Sequence, residues 1–270
     1  MTAGTSSYVD LTAGRFHYRQ WPADADAPSV VLLHGNGDTS TTWSRVAPAL
    51  SAAGWAVFAP DLRGNGSSVR PPVGCYGLAE VAADVQDLID ALRLRDPAVV
   101  GHCWGAAVAL TLATGGSVPS GLGRVVLEEL PSDLSGAADL AVVQDYLRMM
   151  RSPREYVRNW VDLICRNWHP VDRESLLENV CGADIDVYLS TIKDGAGPLL
   201  PLLARLELPA LVLRGNPRRG GILSDADWRE LRRYLPDHGV ARELAGSGHE
   251  VHRGDYTTYM SLVEDFLGSS

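Results

Sequence analysis

Apolar and polar positions along the chain follow two alternating periods. Residues 29–33 (SVVLL), 56–59 (AVFA), 98–100 (AVV), 124–127 (RVVL) and 210–213 (ALVL) are short apolar runs rich in β-branched side chains. Strands buried on both faces read this way. Residues 8–11 and 16–21 alternate instead, on either side of Ala13 and Gly14, which predicts an opening β-hairpin.

Between the runs the period lengthens. Leu78, Val81, Val85, Leu88, Ile89 and Leu92 recur every three or four positions, and Glu80, Asp84, Asp87 and Asp90 fill the other face. That spacing predicts an amphipathic helix. Residues 106–113 are small and apolar, as suits a helix lying on the sheet, and 228–235 and 256–267 predict two more helices. Strands alternating with helices imply an α/β fold, with a mostly parallel sheet covered on both faces.

One stretch departs from this rhythm. From about 131 to 200 there is no β-branched run, only short helical patterns carrying Tyr146, Met149, Met150, Tyr156, Trp160, Trp168 and Tyr188. Pro153 is expected to open a helix there, with Ser152 as its N-cap. The expected organisation is a core of residues 1–130 and 201–270, with a helical cap, 131–200, inserted over the mouth of the sheet.

Composition narrows the function. The 270 residues include 24 Lys plus Arg against 33 Asp plus Glu, a net charge of −9, and 46% are hydrophobic. That is enough chain for one large core. The acidic balance argues against nucleic acid or an anionic membrane as partner. No leader pattern or apolar run of about 18 residues is present, so the expectation is a cytoplasmic protein. Cys75, Cys103, Cys165 and Cys181 form no CxxC pair, and their spacing suits neither zinc nor a disulfide framework. No metal, flavin or nucleotide site is expected; Gly64-Asn65-Gly66 is too short for a phosphate loop.

The positions of the cysteines matter more than their number. Residues 98–106 read AVVGHCWGA, a buried strand running through Gly101-His102-Cys103-Trp104-Gly105 into a small-residue helix. This matches the G-x-S-x-G nucleophile elbow, with Cys103 in the serine place. Such a turn needs small residues two positions either side of the nucleophile. It sets the sulfur at a helix N-terminus, which favours thiolate, and aims the Trp104 amide at the same pocket as an oxyanion donor.

With these residues the chain resembles the α/β-hydrolase fold along nearly its whole length. Leu33-His34-Gly35-Asn36-Gly37 resembles the family's oxyanion loop, which implies a second donor in the Asn36 amide. Residues 61–67 (DLRGNGS) resemble the turn that precedes the elbow strand, and Gly246-Ser247-Gly248-His249 resembles the loop of the catalytic histidine. The resemblance implies His249 as general base over His252, with His34 and His102 bordering the pocket. The acid is expected early. The segment after residues 210–213 holds no carboxylate until Asp225, and Asp225 and Asp227 follow Ser224 as the first turn of a helix. Glu128 and Glu129, at the end of the preceding strand, are the candidates. Adjacent residues of an extended chain point to opposite sides, so one of them faces His249. Glu129 is favoured and Glu128 is the alternative.

The expected site is therefore Cys103, His249 and Glu129, with a pocket formed by His34, His102, Tyr146, Met149 and Trp160. A cysteine in this fold is similar to dienelactone hydrolases, some thioesterases and Dieckmann-type cyclases. The cap and the early acid depart from the first of these. The implied activity is acyl transfer through a thioester, on a small or medium ester, lactone or thioester. The acyl group is expected to be apolar or aromatic, and an acyl carrier protein is a candidate for presenting it. Intramolecular cyclisation on such a carrier, a non-covalent lyase or isomerase, and a ligand receptor are the alternatives.

Overall fold

The alternating hairpin becomes β1 (Thr5–Leu11) and β2 (Gly14–Trp21), in a computed structural model that describes residues 4–24, 26–115, 121–135, 141–195 and 197–268. The apolar runs become β3 (Ser29–Leu33), β4 (Ala56–Pro60), β5 (Ala98–His102), β6 (Arg124–Glu128) and β7 (Ala210–Gly215). An eighth strand, β8 (Gly239–Leu244), is not visible as an apolar run. It lies at the sheet edge and carries exposed Arg242 and Glu243, with only Leu244 fully buried. The order is β1-β2-β4-β3-β5-β6-β7-β8. β2 is antiparallel to β1 and β4, and the remaining pairs are parallel.

Alternate residues of the central strands feed two cores, as the pleat requires. Val31, Leu33, Val99, Leu127 and Val212 pack with α2 (Leu78–Ala91), α3 (Trp104–Thr114) and α8 (Asp225–Tyr234). Val30, Leu32, Val100, Val126 and Leu213 pack with α1 (Val46–Ala52) and α10 (Tyr256–Gly268) on the other face. Each such side chain contributes about 1.5–3 kcal/mol when wholly buried. In α3 every residue except Thr111 is buried, which explains why its sequence is apolar on all sides.

Between β6 and β7 the chain forms α4 (Ala141–Met150), α5 (Arg154–Ile164), α6 (Pro170–Gly182) and α7 (Ile185–Asp194). Residues 136–140 and 196 of the expected cap lie outside the described residues. α4, α5 and α6 share an apolar cluster that includes Met149, Val157, Val161 and Leu177, and α7 packs on α4 through a second one of Leu147, Tyr188 and Ile192. Polar contacts tie them to the core: Asn179 Nδ2 donates to Asp38 Oδ1 at 2.7 Å and Arg45 to Asp172 at 2.8 Å. Ser152 does not cap α5. Its hydroxyl turns back to the Arg148 carbonyl at 2.8 Å, and Pro153 takes the N-cap position. Among the described residues no helix is long and apolar enough to cross a membrane.

Two sequence features are structural. Ser224 and Asp227 form a capping box at the start of α8, and Asp225 pairs with Arg214, so neither acid approaches His249. Within the DLRGNGS turn, Arg63 grips Asp84 through two nitrogens at 2.5 and 2.6 Å, anchoring the turn to α2.

Candidate active site

The elbow begins with a backbone that side chains resist. Cys103, between β5 and α3, has φ 51° and ψ −112°, a conformation costing on the order of 1–3 kcal/mol for a residue with a Cβ. Its neighbours close the turn tightly. A Cβ on Gly101 would lie 2.2 Å from the Gly105 carbonyl oxygen, and one on Gly105 would lie 2.2 Å from that of Leu33. Both positions admit only glycine. The amides of Trp104 and Gly105 fall in the first turn of α3, where no carbonyl of the helix accepts from them. They remain available to an anion near the sulfur.

His249 sits on the loop between β8 and α9 (Val251–Gly254). Its side chain lies beside the Cys103 sulfur, and its Nδ1 is 3.2 Å from Glu129 Oε2. Glu129 is wholly buried and also accepts the Gly215 amide at 2.7 Å and the Ile222 amide at 2.6 Å. Burial works against a charge on His249, but the Cys103 sulfur and the Glu129 carboxylate together hold its pKa well above the ordinary imidazole value. Cys103, His249 and Glu129 thus lie side by side, with a hydrogen bond between the last two.

The neighbouring carboxylate has a different partner. Glu128 accepts the His252 amide at 3.0 Å and lies 2.8 Å from His252 Nδ1, both residues being buried. Burial raises Glu128 to about 7 and, with help from Arg253, lowers His252 to about 4. The chain is not extended through both glutamates, as the sequence reading assumed. Glu129 has φ 49°, a left-handed turn just after β6 ends.

A cavity of about 610 Å³ lies between the sheet and α4–α7 and opens on Cys103 and His249. Asn36, His102, Trp104, Tyr146 and Trp160 line it. His34 and Met149, expected there, do not. His34 is fully buried, with Nδ1 donating to the Gly35 carbonyl at 2.7 Å and Nε2 accepting the Leu62 amide at 2.9 Å, so it braces the loop carrying Asn36. Met149 turns into the cluster among the cap helices. Cys165 also lines the cavity, but burial pushes its thiol up to about 12, leaving it a poor nucleophile.

Two further cap aromatics, Tyr188 and Trp168, also line the cavity, and Glu250 joins them without having been singled out in the sequence. Tyr188 stacks on Tyr146 with ring centres 5.2 Å apart, and both rings close over Gly37. Trp168 and Glu250 complete the wall. Glu250 is bound by the buried Arg253 at 2.9 Å. Its place beside His249 in the chain was the one available hint. His102, His249 and Glu250 bring ligand atoms within 4.8 Å of one another, but Arg253 on Glu250 and the bonds already made by His249 oppose a cation there.

The alpha/beta hydrolase fold family matches residues 28–164. An epoxide hydrolase of Caballeronia sordidicola is 36% identical over 115 residues, 42% of this chain and 34% of that protein. The chain thus spans about a third of that relative's length. A magnesium-chelatase 30 kDa subunit of Rhodobacter capsulatus is 28% identical over 265 residues, 90% of this chain and 88% of the other. The solved enol-lactonase of Burkholderia xenovorans LB400 superimposes with a TM-score of 0.80 at 23% identity, covering 97% of this chain and 100% of that one. Sheet order, elbow and the family match agree: the chain belongs to the α/β-hydrolase fold family.

Proposed function

We propose that the chain is a cysteine-dependent acyl-transfer hydrolase, acting on a small or medium ester, lactone or thioester through a thioester intermediate. The observation carrying this reading is the line Cys103–His249–Glu129 opening on one cavity. His249 holds the proton given up by the Cys103 thiol, and the sulfur attacks the acyl carbon. The amides of Asn36 and Trp104 receive the developing oxyanion. The proton on His249 goes to the leaving group, and the acyl group stays on Cys103. A water deprotonated by His249 then attacks the thioester and releases the acid, with Glu129 holding the imidazole in orientation throughout.

Cysteine chemistry favours acyl substrates over the epoxides named for one partial relative. A thiolate opening an epoxide leaves a thioether that water does not cleave, whereas a thioester is cleaved and the enzyme turns over. The aromatic wall of Tyr146, Trp160 and Tyr188 suits an apolar or aromatic acyl group.

The test compares Cys103→Ala with Cys103→Ser on aryl esters, lactones and acyl thioesters, with products identified. Alanine is expected to abolish turnover and serine to keep a reduced rate. A Cys103→Ala protein with most of its activity would overturn the covalent reading in favour of a lyase or isomerase using His249.

A further inference from the structure

A second hydroxyl–imidazole–carboxylate line lies at the hairpin edge of the sheet, outside the cavity. Ser6 Oγ in β1 is 2.5 Å from His17 Nε2 in β2, and His17 Nδ1 is 2.7 Å from Asp61 Oδ2. Ser6 is exposed, while His17 and Asp61 are 9% and 3% exposed. Burial works against the charge on Asp61, but bonds from His17 and from the Ser40 amide hold its carboxyl at about 2. An ionised carboxylate only accepts, so Nδ1 carries the ring hydrogen and Nε2 presents its lone pair to Ser6.

The ring is held from several sides. The His17 amide donates to Ser68 Oγ at 3.0 Å, and Ser68 Oγ donates to the Asp61 carbonyl at 2.6 Å. The Asp61 amide donates to the His17 carbonyl at 2.9 Å. Tyr8 packs edge-on against the ring at 5.2 Å. Strand pairing sets Arg19 directly opposite Ser6, but its guanidinium turns to Ser44 Oγ at 3.2 Å and lies over the Trp21 ring. A hydroxyl within reach of a histidine that a buried acid orients is an activated nucleophile.

We propose that Ser6 is a second nucleophile, activated by His17 and Asp61, that accepts acyl groups from small activated esters independently of Cys103. With p-nitrophenyl acetate, Ser6 Oγ bonds to the acetyl carbon and its proton passes to His17 Nε2. The bond to the aryl oxygen breaks and p-nitrophenolate departs. His17 returns its proton to solvent, and the acetyl group remains on Ser6 as an ester.

The experiment treats the full chain carrying Cys103→Ala with p-nitrophenyl acetate and locates acetyl groups by peptide fragmentation. Ser7, the adjacent serine, is an internal control. Ser6 is expected to acetylate about 10- to 100-fold faster than Ser7. Adding Ser6→Ala removes that label, and adding His17→Gln brings Ser6 down to the Ser7 rate. Equal labelling of Ser6 and Ser7, or a Ser6 rate unchanged by His17→Gln, overturns the proposal. If His17→Gln does not fold, the Ser6 to Ser7 ratio in Cys103→Ala decides alone.

Discussion

Glu128 and Glu129 are consecutive, yet each closes on a different histidine: Glu129 on His249 at 3.2 Å and Glu128 on His252 at 2.8 Å. The left-handed turn at Glu129 produces this division. β6 delivers Glu128 to His252, whose ring packs against those of Trp43, His102 and Tyr259. The turn then swings Glu129 toward the amides of Gly215 and Ile222 and the cavity side of His249.

The two glutamates should therefore separate in mutant kinetics. Glu129→Gln sets an amide N–H₂ against one of the two backbone donors and removes the charge behind His249. It is expected to lower kcat by about 10²- to 10⁴-fold. Glu128→Gln is expected to leave kcat within about tenfold while costing about 1–3 kcal/mol of stability, from weakened buried hydrogen bonds. Steady-state kinetics and urea unfolding on both variants check this. A kcat loss in Glu128→Gln as deep as in Glu129→Gln would exchange their roles.

Glu128 and His252 also make opposing contributions to stability against pH. Glu128 is raised to about 7, so the folded state holds a proton that the unfolded state has released, and its contribution falls as pH rises toward 7. His252 is lowered to about 4, so the unfolded state binds the extra proton, and its contribution falls as pH drops from about 6.5 toward 4. In the intact protein the two slopes offset each other. Glu128→Gln should steepen acid destabilisation below about pH 6.5. His252→Asn should steepen the loss as pH rises from about 4.5 to 7. Unfolding midpoints measured across that range check both signs; parallel curves for the two variants would contradict the assignment.

The elbow glycines carry a sharper prediction. A Cβ at Gly105 would meet the Leu33 carbonyl, a backbone atom that cannot turn away. Gly105→Ala is expected to cost about 3 kcal/mol or more, read from denaturant unfolding, and to displace Cys103 enough to lower activity. A stable, fully active Gly105→Ala protein would mean that the turn is looser than this geometry.

Much of this was legible because the elements and the elbow are local patterns. β3, β5, β6 and β7 are buried on both faces, so their runs are continuous, and the Gly101–Gly105 spacing follows from one tight turn. β8 was hidden because an edge strand needs no apolar run. The choice between Glu128 and Glu129 depends on a backbone dihedral that neighbouring letters do not encode. His34 looked like a pocket residue from its place beside Asn36, but its ring is consumed by Gly35 and Leu62. Met149 carried the same apolar label as Tyr146, and only the packing of α4 sends one to the cap interior and the other to the cavity. Arg253, which holds Glu250 at the cavity wall, is charged and wholly buried, a pairing that composition cannot reveal.

The central claim is that the Cys103 sulfur becomes acylated. Rapid-quench mass spectrometry with an aryl ester or an acyl thioester, followed by peptide fragmentation, reads this directly. The account predicts a transient acyl group on the Cys103 peptide that neutral hydroxylamine removes, that accumulates in Glu129→Gln if deacylation slows the more, and that is absent from Cys103→Ala. Turnover of the same substrate with no acyl group on Cys103 at any time point, in wild type or Glu129→Gln, would contradict it.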